Sequence, residues 1–153
     1  MARALRDAGV QRMYGVPGGG SILDLIEAGR RAGIRFVLTA TEGAAAMMAA
    51  TEAELTGTPG VRLTTLGPGA ANAANGVAHA ALDRAPILIV TDRYPAGLPA
   101  ALTRQRLDHP RLYGTLIKGS FVVAAARAGN IVGRALRLAQ RLPHGPRTVK
   151  GEP

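Results

Sequence analysis

Glu42 is the residue of this sequence whose surroundings best suit acid–base chemistry. It lies in the stretch LTATEGAAAMMAATEAEL, residues 38–55, where the next charge along the chain is Glu52. A carboxyl group held in apolar surroundings is a common general acid or base. A structural interpretation is also open, because Thr39 and Glu42 fit the S/T-x-x-E capping box, with Thr39 as the cap. Taken alone, the stretch favours the cap.

Two glycine-rich segments are further candidates for ligand binding. The segment YGVPGGGS, residues 14–21, leads into a helix, where glycine lets a ligand approach the backbone and free amides attract anions. It fits neither the G-x-G-x-x-G dinucleotide fingerprint nor a P-loop, because no Lys-Ser/Thr pair follows it. The segment TLGPGAANAANG, residues 65–76, places Pro68 between two glycines, with Asn72 and Asn75 at a helix start. Each segment by itself is also explained as an ordinary strand-to-helix turn.

Short β-branched runs alternate with longer helical patterns around these segments. The alternation predicts an α/β fold with a doubly wound, mainly parallel sheet flanked by helices. In such sheets ligands bind at the carboxyl ends of the strands, where the strand-to-helix loops lie. The predicted strands are residues 10–15, 34–39, 60–65, 86–92 and 119–125, with a short last strand after residue 142. The predicted helices are residues 2–9, 21–33 with Ser21 as the cap, the alanine run to Leu55, a helix from the loop 66–72 to Leu82, and residues 130–142.

Composition places the chain among folded proteins of about one domain. It has 153 residues, of which 47% are hydrophobic, and no apolar run of the roughly 20 residues that cross a bilayer. The N-terminus lacks the apolar core of a signal peptide, so we expect a cytoplasmic protein. Cysteine is absent and His79, His109 and His144 are scattered, so no metal site is predicted.

The net charge of +9 raises nucleic-acid binding as an alternative. The 19 cations are spread along the chain, and only three Tyr and two Phe are available to stack on bases. This distribution favours an arginine-rich surface over a nucleic-acid site. A further open interpretation is that the positive charge faces an acidic partner subunit.

Together the three segments, in this order and spacing, resemble the pyrimidine-binding (PYR) domain at the N-terminus of thiamine-diphosphate-dependent enzymes. The likeness is strongest to the acetolactate synthase and benzoylformate decarboxylase group. It continues through TRQRLDHPRLYGTLIKGSFVV and covers the chain from about Ala4 to Pro146. The resemblance implies the thiamine-diphosphate-binding fold of PYR type and a single PYR domain over residues 1–153.

The resemblance also implies a role for Glu42. In this family the matching glutamate hydrogen-bonds the ring nitrogen of the cofactor's aminopyrimidine and favours its imino tautomer, which deprotonates the thiazolium carbon that attacks a 2-oxo acid. Lys118 matches a lysine common in acetolactate synthases, and an exposed strand-edge lysine is the structural alternative. The cofactor-binding residues implied by the likeness are Glu42, Pro17, Gly18, Thr65, Pro68, Asn72 and Gln105.

The sequence also departs from the family pattern. Thr41 and Gly43 stand where relatives often carry His and Gln, which bears on substrate chemistry more than on the cofactor site. In the family a second domain with a G-D-G…N motif holds the diphosphate and its magnesium, and no G-D pair occurs in this sequence. We therefore expect only half of a site for thiamine diphosphate, with magnesium bound through a partner domain.

The resemblance leaves two alternatives open: the chain is a subunit that pairs with a diphosphate-binding subunit, in a homodimer or a hetero-oligomer, or it is a fragment of a longer enzyme. Completed in this way, the chain would belong to a 2-oxo acid decarboxylase or an acetolactate synthase-like enzyme acting on a small 2-oxo acid. We expect neither membrane nor nucleic-acid partners. The alternatives are a catalytically inactive PYR-fold interaction protein and, less favoured, a basic nucleic-acid-binding α/β domain.

Overall fold

The chain folds around one six-stranded sheet in which all strands are parallel. The structure, a computed structural model, describes residues 1–95, 97–141 and 145–151. The strand order is β2-β1-β3-β4-β6-β5, which confirms the predicted α/β class. The strands are β1 (Arg12–Val16), β2 (Arg35–Leu38), β3 (Gly60–Thr64), β4 (Ile87–Asp92), β5 (Ser120–Val123) and β6 (Arg147–Gly151).

Helices cover both faces of this sheet, as a doubly wound fold requires. On the first face, helices α1, α2 and α7 pack against strand residues such as Met13 and Leu88. On the second face, helices α3, α5 and α6 pack against the neighbouring strand residues Tyr14 and Ile89. Side chains thus alternate between two buried layers, which explains the nearly continuous apolar run in β4. The helices are α1 (Ala2–Asp7), α2 (Ser21–Arg31), α3 (Glu42–Thr56), α4 (Pro68–Asn72), α5 (Ala74–Leu82), α6 (His109–Tyr113) and α7 (Ala128–Gln140).

The predicted capping box at the start of α3 is wrong. Thr41 is the cap, and its hydroxyl accepts a hydrogen bond of 3.1 Å from the Ala44 amide. Thr39 is still extended, because its amide continues the ladder to β1 by donating to the Gly15 carbonyl at 3.1 Å. Helix α3 therefore begins at Glu42, and the Glu42 side chain does not take part in the cap.

The alanines of α3 let this helix lie in backbone contact with its neighbours. A Cβ atom at Gly60, the first residue of β3, would lie 1.9 Å from the Ala49 carbonyl oxygen. A Cβ atom at Gly76 in α5 would lie 2.3 Å from the carbonyl oxygen of Gly43. Only small residues permit such approaches, so α3 is clamped between the sheet and α5. Its outer face remains open to solvent, as the 82% exposure of Leu55 shows.

Two other helix starts differ from the sequence predictions. Gly20, with φ of 70°, is the N-cap of α2 in place of Ser21, whose hydroxyl instead bonds Asp92. The predicted loop 66–72 already contains α4, which starts at Pro68 because proline fits the first helical turn.

The segment between β4 and β5 contains the short helix α6 and 3-10 turns at Ala100–Leu102 and Gly114–Leu116. Helix α7 ends at Gln140, two residues before the predicted boundary. Residues 142–144, including His144, lie outside the described residues.

Candidate functional site

The three singled-out loops meet at the point where the strand order reverses. Strands β1 and β3 are neighbours, but the chain runs from β1 to β2 on one side and from β3 to β4 on the other. In open α/β sheets this arrangement leaves a crevice at the carboxyl ends of the two strands. The loops that follow β1, β2 and β3 therefore border one crevice.

Glu42 lies at this crevice, half-buried, as the first residue of α3. The Asn72 side-chain amide, at the end of α4, donates a hydrogen bond to Glu42 Oε2. The other carboxylate oxygen, Oε1, faces Gly69, where a Cβ atom would lie 3.3 Å from Oε1 and 2.6 Å from Thr64 Oγ1. The Thr64 hydroxyl is buried and has no hydrogen-bond partner in the described part of the chain. The glycine thus preserves space beside two polar atoms.

The loop after β1 forms the opposite wall of the crevice. Pro17 directly follows β1, and Gly18 adopts φ of 62°, a conformation that favours glycine. A Cβ atom at Gly18 would lie 2.6 Å from Thr65 Cβ, so the loops after β1 and β3 touch. The Thr65 carbonyl in turn accepts a hydrogen bond of 3.2 Å from the Thr91 hydroxyl on β4.

Asp92 ties the end of β4 to the start of α2, a contact that the sequence patterns missed. Its carboxylate accepts a hydrogen bond from the Ser21 hydroxyl, and a Cβ atom at Gly20 would lie 2.9 Å from Asp92 Oδ2. Burial raises the pKa of Asp92, and nearby Asp24 adds to this, while Ser21 and the Ile22 amide oppose it. The two linked positions are 71 residues apart, so no spacing rule connects them.

Gln105 reaches the same edge through its backbone. Its carbonyl oxygen would lie 2.3 Å from a Cβ atom at Gly67, and both residues have positive φ, 63° and 62°. Lys118 lies instead before β5, at the opposite edge of the sheet, where its Nζ donates a 2.6 Å hydrogen bond to the Arg141 carbonyl. Burial and Arg147 lower the pKa of Lys118. Lys118 is exposed and lies away from the crevice.

Comparison with known proteins identifies a family that matches most of the chain. Residues 1–111 match the family described as "Thiamine pyrophosphate enzyme, N-terminal TPP binding domain". The chain belongs to this family. Thiamine pyrophosphate is another name for thiamine diphosphate, so the predicted likeness is confirmed.

Acetolactate synthases are among the similar proteins. The acetolactate synthase isozyme 3 large subunit of Escherichia coli (strain K12) is 37% identical over 124 residues, which are 80% of this chain and 21% of that protein. The acetolactate synthase of Arthrospira platensis is 36% identical over 147 residues, 94% of this chain and 25% of that protein. The chain thus spans about a fifth to a quarter of the length of these relatives. The comparisons do not favour the inactive or nucleic-acid-binding alternatives.

A buried arginine lies behind this crevice and was missed in the sequence. Arg62 on β3 is wholly buried, and within the described residues none of its side-chain nitrogens makes a hydrogen bond of ordinary geometry, although the Tyr113 hydroxyl lies close enough to interact with it. Burial lowers the pKa of Arg62, while Tyr113 and Glu42 act in the opposite direction. The Tyr113 hydroxyl donates a 2.8 Å hydrogen bond to the Ala70 carbonyl and so supports α4.

At the crevice of this family domain, the protein hydrogen-bonds the Glu42 carboxylate only in part. Asn72 holds one oxygen of the Glu42 carboxylate, and the described part of the chain offers no hydrogen bond to the other. Such a carboxylate can accept a hydrogen bond from a ring nitrogen or hold a proton shared with it. No cluster of three or more metal-binding side chains, and no helix long and apolar enough to cross a membrane, occurs among the residues described.

Proposed function

We propose that the chain binds the aminopyrimidine half of thiamine diphosphate and contributes Glu42 to a 2-oxo acid decarboxylase or acetolactate synthase-like enzyme. The observation that carries this proposal is the Glu42 carboxylate at the switch point, with Oε1 open beside Gly69. A flat ring needs space without side chains and a few polar atoms at its edge. Gly18 and Gly69 leave the space, and Glu42 and the Thr64 hydroxyl supply polar atoms.

The residues of this chain have distinct parts in the proposal. Glu42 is the catalytic residue and hydrogen-bonds the aminopyrimidine ring nitrogen, sharing a proton with it at Oε1. Asn72 fixes the carboxylate by holding Oε2, and the Thr41 cap fixes the helix start from which Glu42 projects. When bound, thiamine diphosphate supplies the thiazolium carbon that attacks the substrate carbonyl. The remaining residues proposed to line the cofactor site are Pro17, Gly18, Thr65, Pro68 and Gln105.

In this proposal the residues of the chain form only half of a thiamine diphosphate site. We treat residues 1–153 as one PYR domain, and we propose that a diphosphate-binding domain on a partner subunit holds the diphosphate and its magnesium. The relatives are several times longer than this chain, so each has length for a further domain. Activity on a small 2-oxo acid is therefore proposed for the completed oligomer.

The test compares Glu42→Gln with Glu54→Gln, which changes an exposed glutamate on the same helix. In a complex with a diphosphate-binding subunit, we expect Glu42→Gln to lower turnover about 100-fold or more, the usual scale of acid–base catalysis. Glu54→Gln should leave turnover unchanged. Asn72→Ala should weaken thiamine diphosphate binding, measured by calorimetry, because the carboxylate loses its fixed orientation. Full turnover in the Glu42→Gln complex would exclude the catalytic role.

A further inference from the structure

The buried Arg62 lies one side-chain layer below the crevice. In the sheet register it stands between Tyr14 of β1 and Ile89 of β4, so its side chain lies on the face covered by α3, α5 and α6. Side chains two residues apart along a strand share a face and are about 7 Å apart. Thr64, the last residue of β3, therefore separates Arg62 from the crevice on this face.

The Glu42 carboxylate borders the same layer. A Cβ atom at Gly69 would lie 2.6 Å from Thr64 Oγ1 and 3.3 Å from Glu42 Oε1, so these two oxygen atoms border one small space. The Asn72 amide holds Oε2, and the described part of the chain offers no hydrogen bond to Oε1. Arg62 therefore lies beneath the carboxylate oxygen that is open to a ligand.

The helices of this face carry other acidic side chains, which have partners of their own or lie in solvent. They are Glu52, bound to Arg12 at 2.7 Å, Asp83, which is 3.2 Å from His79, Asp108, which caps α6, and the exposed Glu54. Burial lowers the pKa of Arg62, and Tyr113 and then Glu42 oppose this. Burial raises the pKa of Tyr113, although Arg62 opposes it, so the tyrosine is neutral. Within the described residues, Glu42 is therefore the counter-charge of the buried guanidinium.

Burial strengthens the interaction between these two charges. Arg62 is wholly buried and Glu42 is half-buried, so water screens the pair only in part. A buried cation is costly unless a nearby negative charge offsets its loss of hydration. A proton on the Glu42 carboxylate would remove that negative charge, so the charge of Arg62 opposes protonation at Oε1.

We propose that Arg62 is a positioning residue for the Glu42 site, whose buried positive charge keeps the carboxylate negative and places a proton shared with a ring nitrogen on that nitrogen. The catalytic part of this inference rests on the proposed function, whereas the pairing of the two charges does not. Arg62 acts through Glu42 and does not touch the ligand, because Thr64 lies between it and the crevice.

A double-mutant cycle tests the pairing in the full chain without thiamine diphosphate. Urea unfolding at neutral pH is measured for Arg62→Met, Glu42→Gln and the double variant. We expect Arg62→Met to lower the unfolding equilibrium constant about fivefold more in the Glu42→Gln background than in the parent, because the parent also loses an attraction. Glu54→Gln is the matched control on α3 and should leave the effect of Arg62→Met unchanged. Equal effects of Arg62→Met in the parent and Glu42→Gln backgrounds would overturn the pairing.

The complex with a diphosphate-binding subunit tests the catalytic part. Arg62→Met should lower kcat about fivefold, because the same charge interaction is lost, and should leave the Kd of thiamine diphosphate from calorimetry unchanged. A purely structural role would weaken cofactor binding as well, so a parallel loss of binding and kcat, or an unchanged kcat, would overturn the assignment. Full turnover of Glu42→Gln would instead exclude the proposed function and the catalytic part with it, while the double-mutant cycle would still decide the pairing.

Discussion

Replacing Gly76 with alanine tests whether α3 and α5 touch through their backbones and so position Glu42. The new Cβ atom would lie 2.3 Å from the Gly43 carbonyl oxygen and 2.7 Å from Ala46 Cβ. Ordinary carbon–oxygen contacts lie at about 3.3 Å or more, so the helices would have to separate by about 1 Å. Gly43 directly follows Glu42, so this movement would reach the candidate catalytic carboxylate.

The magnitude follows from two opposing effects. Alanine is favoured over glycine in a helix interior by about 1 kcal/mol, whereas overpacking a close contact costs about 1–3 kcal/mol. Gly76→Ala should therefore lower the free energy of unfolding by about 0–2 kcal/mol. Gly129→Ala, in α7, is the matched control because no atom lies within 4 Å of its added Cβ. This control should raise the free energy of unfolding by about 0.5 kcal/mol, less than the full helix preference because Gly129 lies near the helix start.

Urea unfolding of both variants measures the effect, and the difference between them isolates the clash at Gly76. We expect a difference of about 0.5–2.5 kcal/mol in the free energy of unfolding. In the completed enzyme, displacement of Glu42 by about 1 Å should also lower turnover about 100-fold. If Gly76→Ala stabilised the chain as much as Gly129→Ala, the proposed backbone contact would be absent and its role in placing Glu42 would fall.

Three further predictions concern stability. Arg62→Met should raise the free energy of unfolding in urea by about 1–4 kcal/mol, because it removes a buried cation that makes no hydrogen bond in the described residues. Thr41→Ala should lower it by about 1 kcal/mol through loss of the α3 cap, whereas a change below about 0.3 kcal/mol would contradict this cap. Burial raises the pKa of Asp92 above its unfolded value of 3.8, so its contribution to stability is greatest below that pH and declines as pH rises through the folded pKa. Urea unfolding at a series of pH values upward from about 3.8 should show this decline relative to Asp92→Asn.

For two of these predictions, a particular result would contradict the reasoning. A loss of stability in Arg62→Met would mean that the guanidinium makes compensating interactions, as Arg147 does when it donates a 3.0 Å hydrogen bond to the Leu138 carbonyl. A difference between the parent and Asp92→Asn that stays constant with pH would contradict the raised pKa of Asp92.

The spacing of apolar residues predicted the fold, and the residue types of the strand-to-helix loops predicted the residues at the crevice. Alternation of strand and helix patterns located the strands because buried parallel strands are short, apolar and β-branched. The loops around Gly18, Glu42 and Asn72 could be associated because the carboxyl ends of parallel strands meet at one edge. Their roles in binding the cofactor came from family likeness, since spacing alone was also explained by ordinary turns.

Other features depend on contacts that sequence patterns do not carry. The choice between Thr39 and Thr41 as cap was decided by the ladder hydrogen bond from Thr39 to Gly15, which keeps Thr39 extended. Arg62 in the predicted strand GVRLTT gives no sign of burial. Its burial follows from helices on both faces of the sheet, and the small side chains of α3 on that face leave room for it.

The loop after β3 joins several contacts that shape the crevice. Thr65 packs on Gly18, Gly67 packs on Gln105, and Gly69 leaves space beside Glu42. A shift of this short segment would therefore alter all three contacts. Glycine at positions 67 and 69 is required by steric contact with Gln105 and with the Thr64 hydroxyl, whatever ligand binds. The proposed chemistry and the packing therefore constrain the same few residues, and a variant at either glycine should weaken thiamine diphosphate binding, measured by calorimetry.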